Sequence, residues 1–286
     1  MTVAQYFVKL RQAIKDNPIL TGEAFDGDGA TTAFRTRNAP IIEGGYTVKI
    51  GTAVQVETTH YTIDLDSGVL VFLTAPTTGD NNITITYKYA KLRDAQMLDI
   101  LNGIISEMKG KLWADKLDST TITTVANQSE YSLDTLSTDI FRVIGVWIRS
   151  SSTVDWSAVS SGTNIEFWRE ANKLNVRPYF GTTGYALKIR YLENYSEYSA
   201  TTETITIPDN YLRVITAFFQ ARFVDEIISL QVINNGAVVK ETTYQATNNL
   251  LNIKTNLERQ AETMLRRIKP RVPSTTIASL QYGLTS

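Results

Sequence analysis

The sequence predicts an α+β protein: a helical bundle of an N-terminal helix, a central helix and a C-terminal antiparallel helical hairpin, with two inserted antiparallel β segments and an extended C-terminal tail. Three observations predict it. Apolar residues recur at helical spacing in the first, middle and last parts of the chain. They alternate with period two in the two stretches between, and prolines close the last helix. The chain then divides into 1–23, the first helix of the bundle; 24–90, an inserted β module; 91–269, a core; and 270–286, the tail. The core holds helices over 92–117, 210–231 and 238–268, with a β region over 120–207.

Each element has its own signal. Val3, Tyr6, Phe7, Leu10 and Ile14 step by three and four, and Asn17-Pro18 ends that run. From Phe25 the period becomes two. "YTVKI", "YTIDL", "VLVFL" and "ITITYKY" each place alternate apolar residues on one face, separated by Gly44-Gly45, Asp66-Ser67-Gly68 and the stretch 76–82. Leu92, Ala95, Leu98, Leu101, Ile105, Met108 and Leu112 then form one helical stripe. "TITTV", "FRVIGVWI", "IEFWRE", "KLNVRPY", "ALKIRYLENY" and "TITI" are the strands predicted for the second β region. Pro208-Asp209 opens a helix, with Asp209 or Asn210 as its cap. After "NNG" at 234–236 a second stripe runs through Val239, Thr243, Ala246, Leu250, Ile253, Leu257, Ala261, Met264 and Ile268, which makes an antiparallel hairpin.

The chemistry available is narrow. Of 286 residues none is cysteine, which removes disulfides, thiol catalysis and cysteine zinc sites. The one histidine, His60, is read as an ordinary strand residue, and there is no "GxSxG" elbow beside which it could serve as a base. The net charge of -1 argues against nucleic acid or acidic lipid as a bulk partner, and no apolar run suits a membrane span. The start of the chain reads as an amphipathic helix and not as a secretory signal. We expect no enzyme activity, no cofactor and no metal.

Two stretches invite a sharper reading. "FDGDGATTAF", 25–34, resembles a calcium loop in composition, but the twelfth position from Asp26 is Arg37 where a bidentate Glu is needed. As a dinucleotide fingerprint it has Thr32 at the third glycine position, and a phosphate loop would need Gly-Lys-Ser or Gly-Lys-Thr. A tight turn anchored by Phe25 and Phe34 is the reading that survives. The aromatic residues Trp147, Trp156, Trp168, Tyr179 and Tyr191 suit either a sugar-stacking surface or a core with a subunit interface. No carboxylate pair stands beside them, so we favour the interface and take Trp147, Trp156, Trp168 and Tyr179 as its contacts. Over 254–271 six cations stand against two carboxylates, which suits either an acidic partner or pairing with a helix C-terminus.

The second half resembles the head-to-tail adaptor (connector or neck) proteins of tailed bacteriophages. The resemblance is carried by "ANQSEYSLDTLSTDIFRVIGVWI" at 126–148, "KLNVRPYFGTTGYALKIRYLENYSEYSA" at 173–200 and "TITIPDNYLRVITAFFQARFV" at 204–224. Within these, the family pattern falls on 131–133, 142–146, 176–178, 187–192 and 207–211, and the match extends over about 92–265. The β module, with "YTVKIGTAVQ" and "YTIDLDSGVLVFLTAPTTGDNNITITYKY", resembles a small β domain of phage neck, tail and receptor-binding proteins.

The resemblance implies a structural virion protein: a homo-oligomeric ring, often of twelve subunits, below the portal, extending the DNA channel and docking the tail or a further neck protein. It implies a place at the neck of the virion, assembly in the host cytoplasm, and DNA enclosed without sequence-specific binding. Arg266, Arg267, Lys269, Arg271, Ile277, Leu280 and Tyr282 are the expected contacts with the portal or a neighbouring subunit. The competing expectation is a receptor- or glycan-binding tail, baseplate or decoration protein.

Overall fold

The computed structural model describes residues 1–159, 166–235 and 241–268. Among the described residues the helices are α1 (Val3–Ile14), α2 (Asp94–Glu107), α3 (Asp209–Asn235) and α4 (Glu241–Ile268). Fourteen strands among the described residues, β1–β14, form four antiparallel sheets. The chain separates into two compact units, Met1–Ile104 with Tyr198–Ile205 and Leu212–Thr263, and Ile105–Glu197 with Thr206–Tyr211 and Met264–Ser286.

In the first unit, α1 starts with a capping box. The Thr2 hydroxyl accepts from the Gln5 N–H, and the Gln5 side chain accepts from the Thr2 N–H. Its buried face is Val3, Tyr6, Phe7, Leu10 and Arg11, and Lys15 in the left-handed region closes it. The Tyr6 hydroxyl meets the Leu212 carbonyl and Thr216 on α3, and Gln220 of α3 donates to the Ala13 carbonyl. The segment Tyr198–Ile205 runs back along the chain start: Val3 N–H donates to the Glu203 carbonyl, and Ile205 N–H to that of Met1.

The β module of this unit has two sheets, ordered β1-β7-β3-β4 and β2-β6-β5. The first is formed by β1 (Ile19–Gly27), β7 (Gly79–Tyr89), β3 (Ile41–Ile50) and β4 (Ala53–Val54). The second is formed by β2 (Ala33–Arg35), β6 (Val69–Phe72) and β5 (Tyr61–Asp64). Both contribute to one core of Ile41, Val48, Tyr61, Leu70, Phe72, Ile83, Ile85 and Tyr87. The turn at 25–34 is held locally. Asp28 accepts from the N–H groups of Ala30 and Thr31 and from the Thr31 hydroxyl, while the Phe25 and Phe34 rings pack 5.6 Å apart. Gly27 is obligatory there, because a Cβ would lie 2.3 Å from the Thr77 carbonyl oxygen.

A buried ion cluster joins α1 to the entry of α2. Arg11, 5% exposed, donates to Asp16 and Asp94 and to the Leu92 carbonyl. Asp16, 4% exposed, also accepts from the N–H groups of Lys91 and Leu92. Next to it Arg93 forks onto Asp66 and reaches Glu43, which anchors the β module to the same joint.

In the second unit β11 (Ser157–Ala158), β10 (Ile140–Arg149), β14 (Ala186–Glu193) and β8 (Ala114–Asp118) form one sheet in that order. The other is ordered β12 (Glu166–Glu170), β13 (Lys173–Arg177), β9 (Glu130–Ser132). Alternate residues from both sheets meet in a core of thirteen, among them Tyr131, Leu133, Val146, Val159, Val176, Leu187 and Ile189.

The expected helical bundle with two β insertions is therefore corrected to a mixed α/β fold with four antiparallel sheets. Both β parts bury complete cores of their own, so neither is an excursion from a bundle. The last helix also leaves much of its expected stripe in solvent. Ile253 and Met264 are 49% and 41% exposed, and of its described stripe residues Ala261 alone is fully buried. Strand β1 begins at Ile19, inside the stretch expected to belong to the first helix.

Candidate functional site

The outward face of β10 and β14 brings indoles and cations together. Pairing sets Trp147 opposite Lys188, and Val146, Ile148, Leu187 and Ile189 point the other way into the core. Trp147 and Arg149, two residues apart, therefore share the outer face. Trp156, just before Ser157 in the link from β10 to the next strand of the sheet, lies over it. The Lys188 ammonium lies 5.1 Å from the Trp147 ring centre and 4.8 Å from that of Trp156. The Arg149 guanidinium lies 4.3 Å from the Trp156 ring. Two indoles and two cations thus form one stack, each contact worth about 0.5–1 kcal/mol at such a half-exposed place.

Gly145 makes room for the stack. A Cβ there would sit 2.5 Å from the Trp147 ring, so only glycine lets the indole lie flat along the strand. Arg149 Nε is buried without a hydrogen-bond partner. Neither Arg149 nor Lys188 forms an ion pair with a described residue. Neighbouring cations do: Arg190 with Asp115, Lys116 with Glu193, and Lys173 with Glu130.

Of the four aromatic residues expected in an interface, the structure brings Trp147 and Trp156 together. Trp168 lies in the other sheet, on β12, 41% exposed, with the Arg177 guanidinium 6.0 Å from its ring. Tyr179 follows Pro178 and is 53% exposed. Arg149, Lys188 and Arg177 were not anticipated. The two-residue spacing of Trp147 and Arg149 is visible in the sequence, but Lys188 joins them only through strand pairing.

Arg266 and Arg267 lie exposed in the last turn of α4, where their charge suits the helix C-terminus. Lys269, Arg271, Ile277, Leu280 and Tyr282 lie outside the described residues. His60 sits in the turn before β5 and not in a strand, with its Nδ1 accepting the Val56 N–H at 2.9 Å. Among the described residues no cluster of three His, Asp or Glu side chains could hold a metal ion. No described helix is long and apolar enough to cross a membrane.

A scan against protein-family models finds no match to this chain, and a search of curated proteins finds none either.

Proposed function

We propose that this chain is a structural virion protein of a tailed bacteriophage, a head-to-tail adaptor. In this reading it assembles with copies of itself into a ring below the portal, extends the DNA channel, and offers the tail a docking platform. The reading places it in the virion neck after assembly in the host cytoplasm, and it asks for no catalysis and no cofactor.

One observation carries the reading. The short patterns behind the resemblance are scattered over more than fifty residues of sequence, yet Tyr131, Leu133, Val143, Val146, Val176, Leu187, Ile189 and Tyr191 belong to one buried cluster. The resembling patterns thus supply eight of the thirteen residues of that core, which is the support for reading them as determinants of one fold. A virion receptor-binding protein is the second reading, favoured by the exposed Trp168 and Tyr179. The Trp147 and Trp156 rings suit it less, because cations already lie over them.

Co-sedimentation with purified portal rings separates the two. The adaptor reading expects saturable binding that adds a second ring to one end of the portal. Binding to host-cell envelopes, with none to portals, overturns it in favour of receptor recognition.

A further inference from the structure

We propose that Trp147, Arg149, Trp156 and Lys188 form a docking site for the acidic tip of the β module, Asp26, Asp28 and Asp80, on a second copy of this chain. The contact would repeat head to tail, and it rests on the ring reading above.

The stack offers charge, not ring faces. A sugar or a base needs an open aromatic face, whereas here Arg149 and Lys188 lie over the indoles. Packing on a rigid ring fixes the direction of both cations in advance, so little side-chain entropy is left to lose when an anion arrives. A guanidinium is also weakly hydrated, and its outer N–H groups match a carboxylate. Arg190 and Lys116 on the same sheet are paired with Asp115 and Glu193, whereas Arg149 and Lys188 form no ion pair with a described carboxylate, so both can take an anion from another copy.

The tip of the β module supplies the complement. Gly27 pairs with Gly79, the Asn81 N–H donates to Asp26 at 2.6 Å, and the Gly29 N–H donates to the Pro76 carbonyl, which gathers Asp26, Asp28 and Asp80 at one end of the module. All three are exposed, and none forms an ion pair with a described residue. The turn's own hydroxyl and N–H donors keep Asp28 ionised down to about pH 2. A closed ring with head-to-tail contacts needs two different surfaces that complement each other, and opposite charge on two sites of one chain meets that need.

Charge exchange on the full-length chain tests it, with assembly followed by sedimentation velocity. We expect R149E/K188E and D26K/D80K each to slow ring assembly by about 10- to 1,000-fold at low salt. Mixed one to one, they should assemble again, because every contact in an alternating ring is then complementary. D80K alone changes a side chain that makes no described hydrogen bond, so its slower assembly would reflect charge and not misfolding. Either double variant assembling at the unaltered rate overturns this contact and leaves the ring reading standing. Both variants failing, with no recovery on mixing, overturns the pairing of these two patches. An unaltered chain that never forms a ring, alone or on portals, removes the ring reading and this contact together.

Discussion

Replacing Arg11 by methionine should unfold the first unit far more readily than any surface change. The guanidinium is 5% exposed and supplies four contacts: Asp16 through its carboxylate and its carbonyl, the Leu92 carbonyl, and Asp94. Methionine fills much of the same volume but leaves Asp16, 4% exposed, with two backbone N–H donors, the charge of Lys91 nearby and no ion-pair partner. Burial already raises the Asp16 pKa against the pull of its donors and of Arg11. Breaking one side of such a pair costs about 3–5 kcal/mol. All four tryptophans lie in the second unit, so tryptophan fluorescence would miss the event. Amide hydrogen exchange in α1 and the start of α2 reads it directly. Protection there should fall roughly 100- to 5,000-fold, the same energy expressed as an equilibrium constant. Adding Asp16→Asn to Arg11→Met should recover part of the loss, because the stranded charge is gone. The exposed pair Arg190–Asp115 is the control, and Arg190→Ala should cost less than about 1 kcal/mol. An Arg11→Met effect as small as that control would refute the argument.

Three further outcomes follow. Gly145→Ala should push the Trp147 ring away from Lys188 and shift the tryptophan emission, whereas Gly181→Ala, where a Cβ meets nothing within 4 Å, should leave the spectrum unchanged. Burial raises the Tyr6 hydroxyl from 10.0 to about 12. The fold therefore favours the neutral phenol, and that stabilisation is complete below pH 10 and lost as the pH rises through about 12. Burial raises other tyrosines too, Tyr46 among them, so absorbance at the phenolate band should show a late titration from which Tyr6→Phe removes the share of one tyrosine. Asp28 behaves oppositely: its pKa is lowered from 3.8 to about 2, so its contribution is present above pH 3.8 and fades as the pH falls towards 2. A carboxyl NMR titration with its midpoint near 2, absent in Asp28→Asn, is the expected result.

Much of the local structure could be read directly. The alternation in "ITITYKY" places Ile83, Ile85 and Tyr87 in the core of the β module, and the stripe of Val3, Tyr6, Phe7 and Leu10 is the buried face of α1. The hierarchy could not be read, because a helical stripe says that a face is apolar and not how much of it gets covered. The stripe through Ile253 and Met264 is as regular as that of α1, yet those two side chains remain in solvent. The joint of Arg11, Asp16 and Asp94 was equally hidden, since it links residues up to 83 positions apart. At the candidate site the tryptophans were visible as large aromatic residues. Their cations were not, because Lys188 reaches Trp147 only through the register of β10 and β14.

The most direct test of the functional account is electron microscopy of lysates from a phage whose copy of this gene is disabled. The account predicts heads and tails that accumulate separately, with DNA packed in or leaking from the heads. Complete tailed particles that fail to adsorb to their host would contradict it and move the search to the exposed Trp168 and Tyr179.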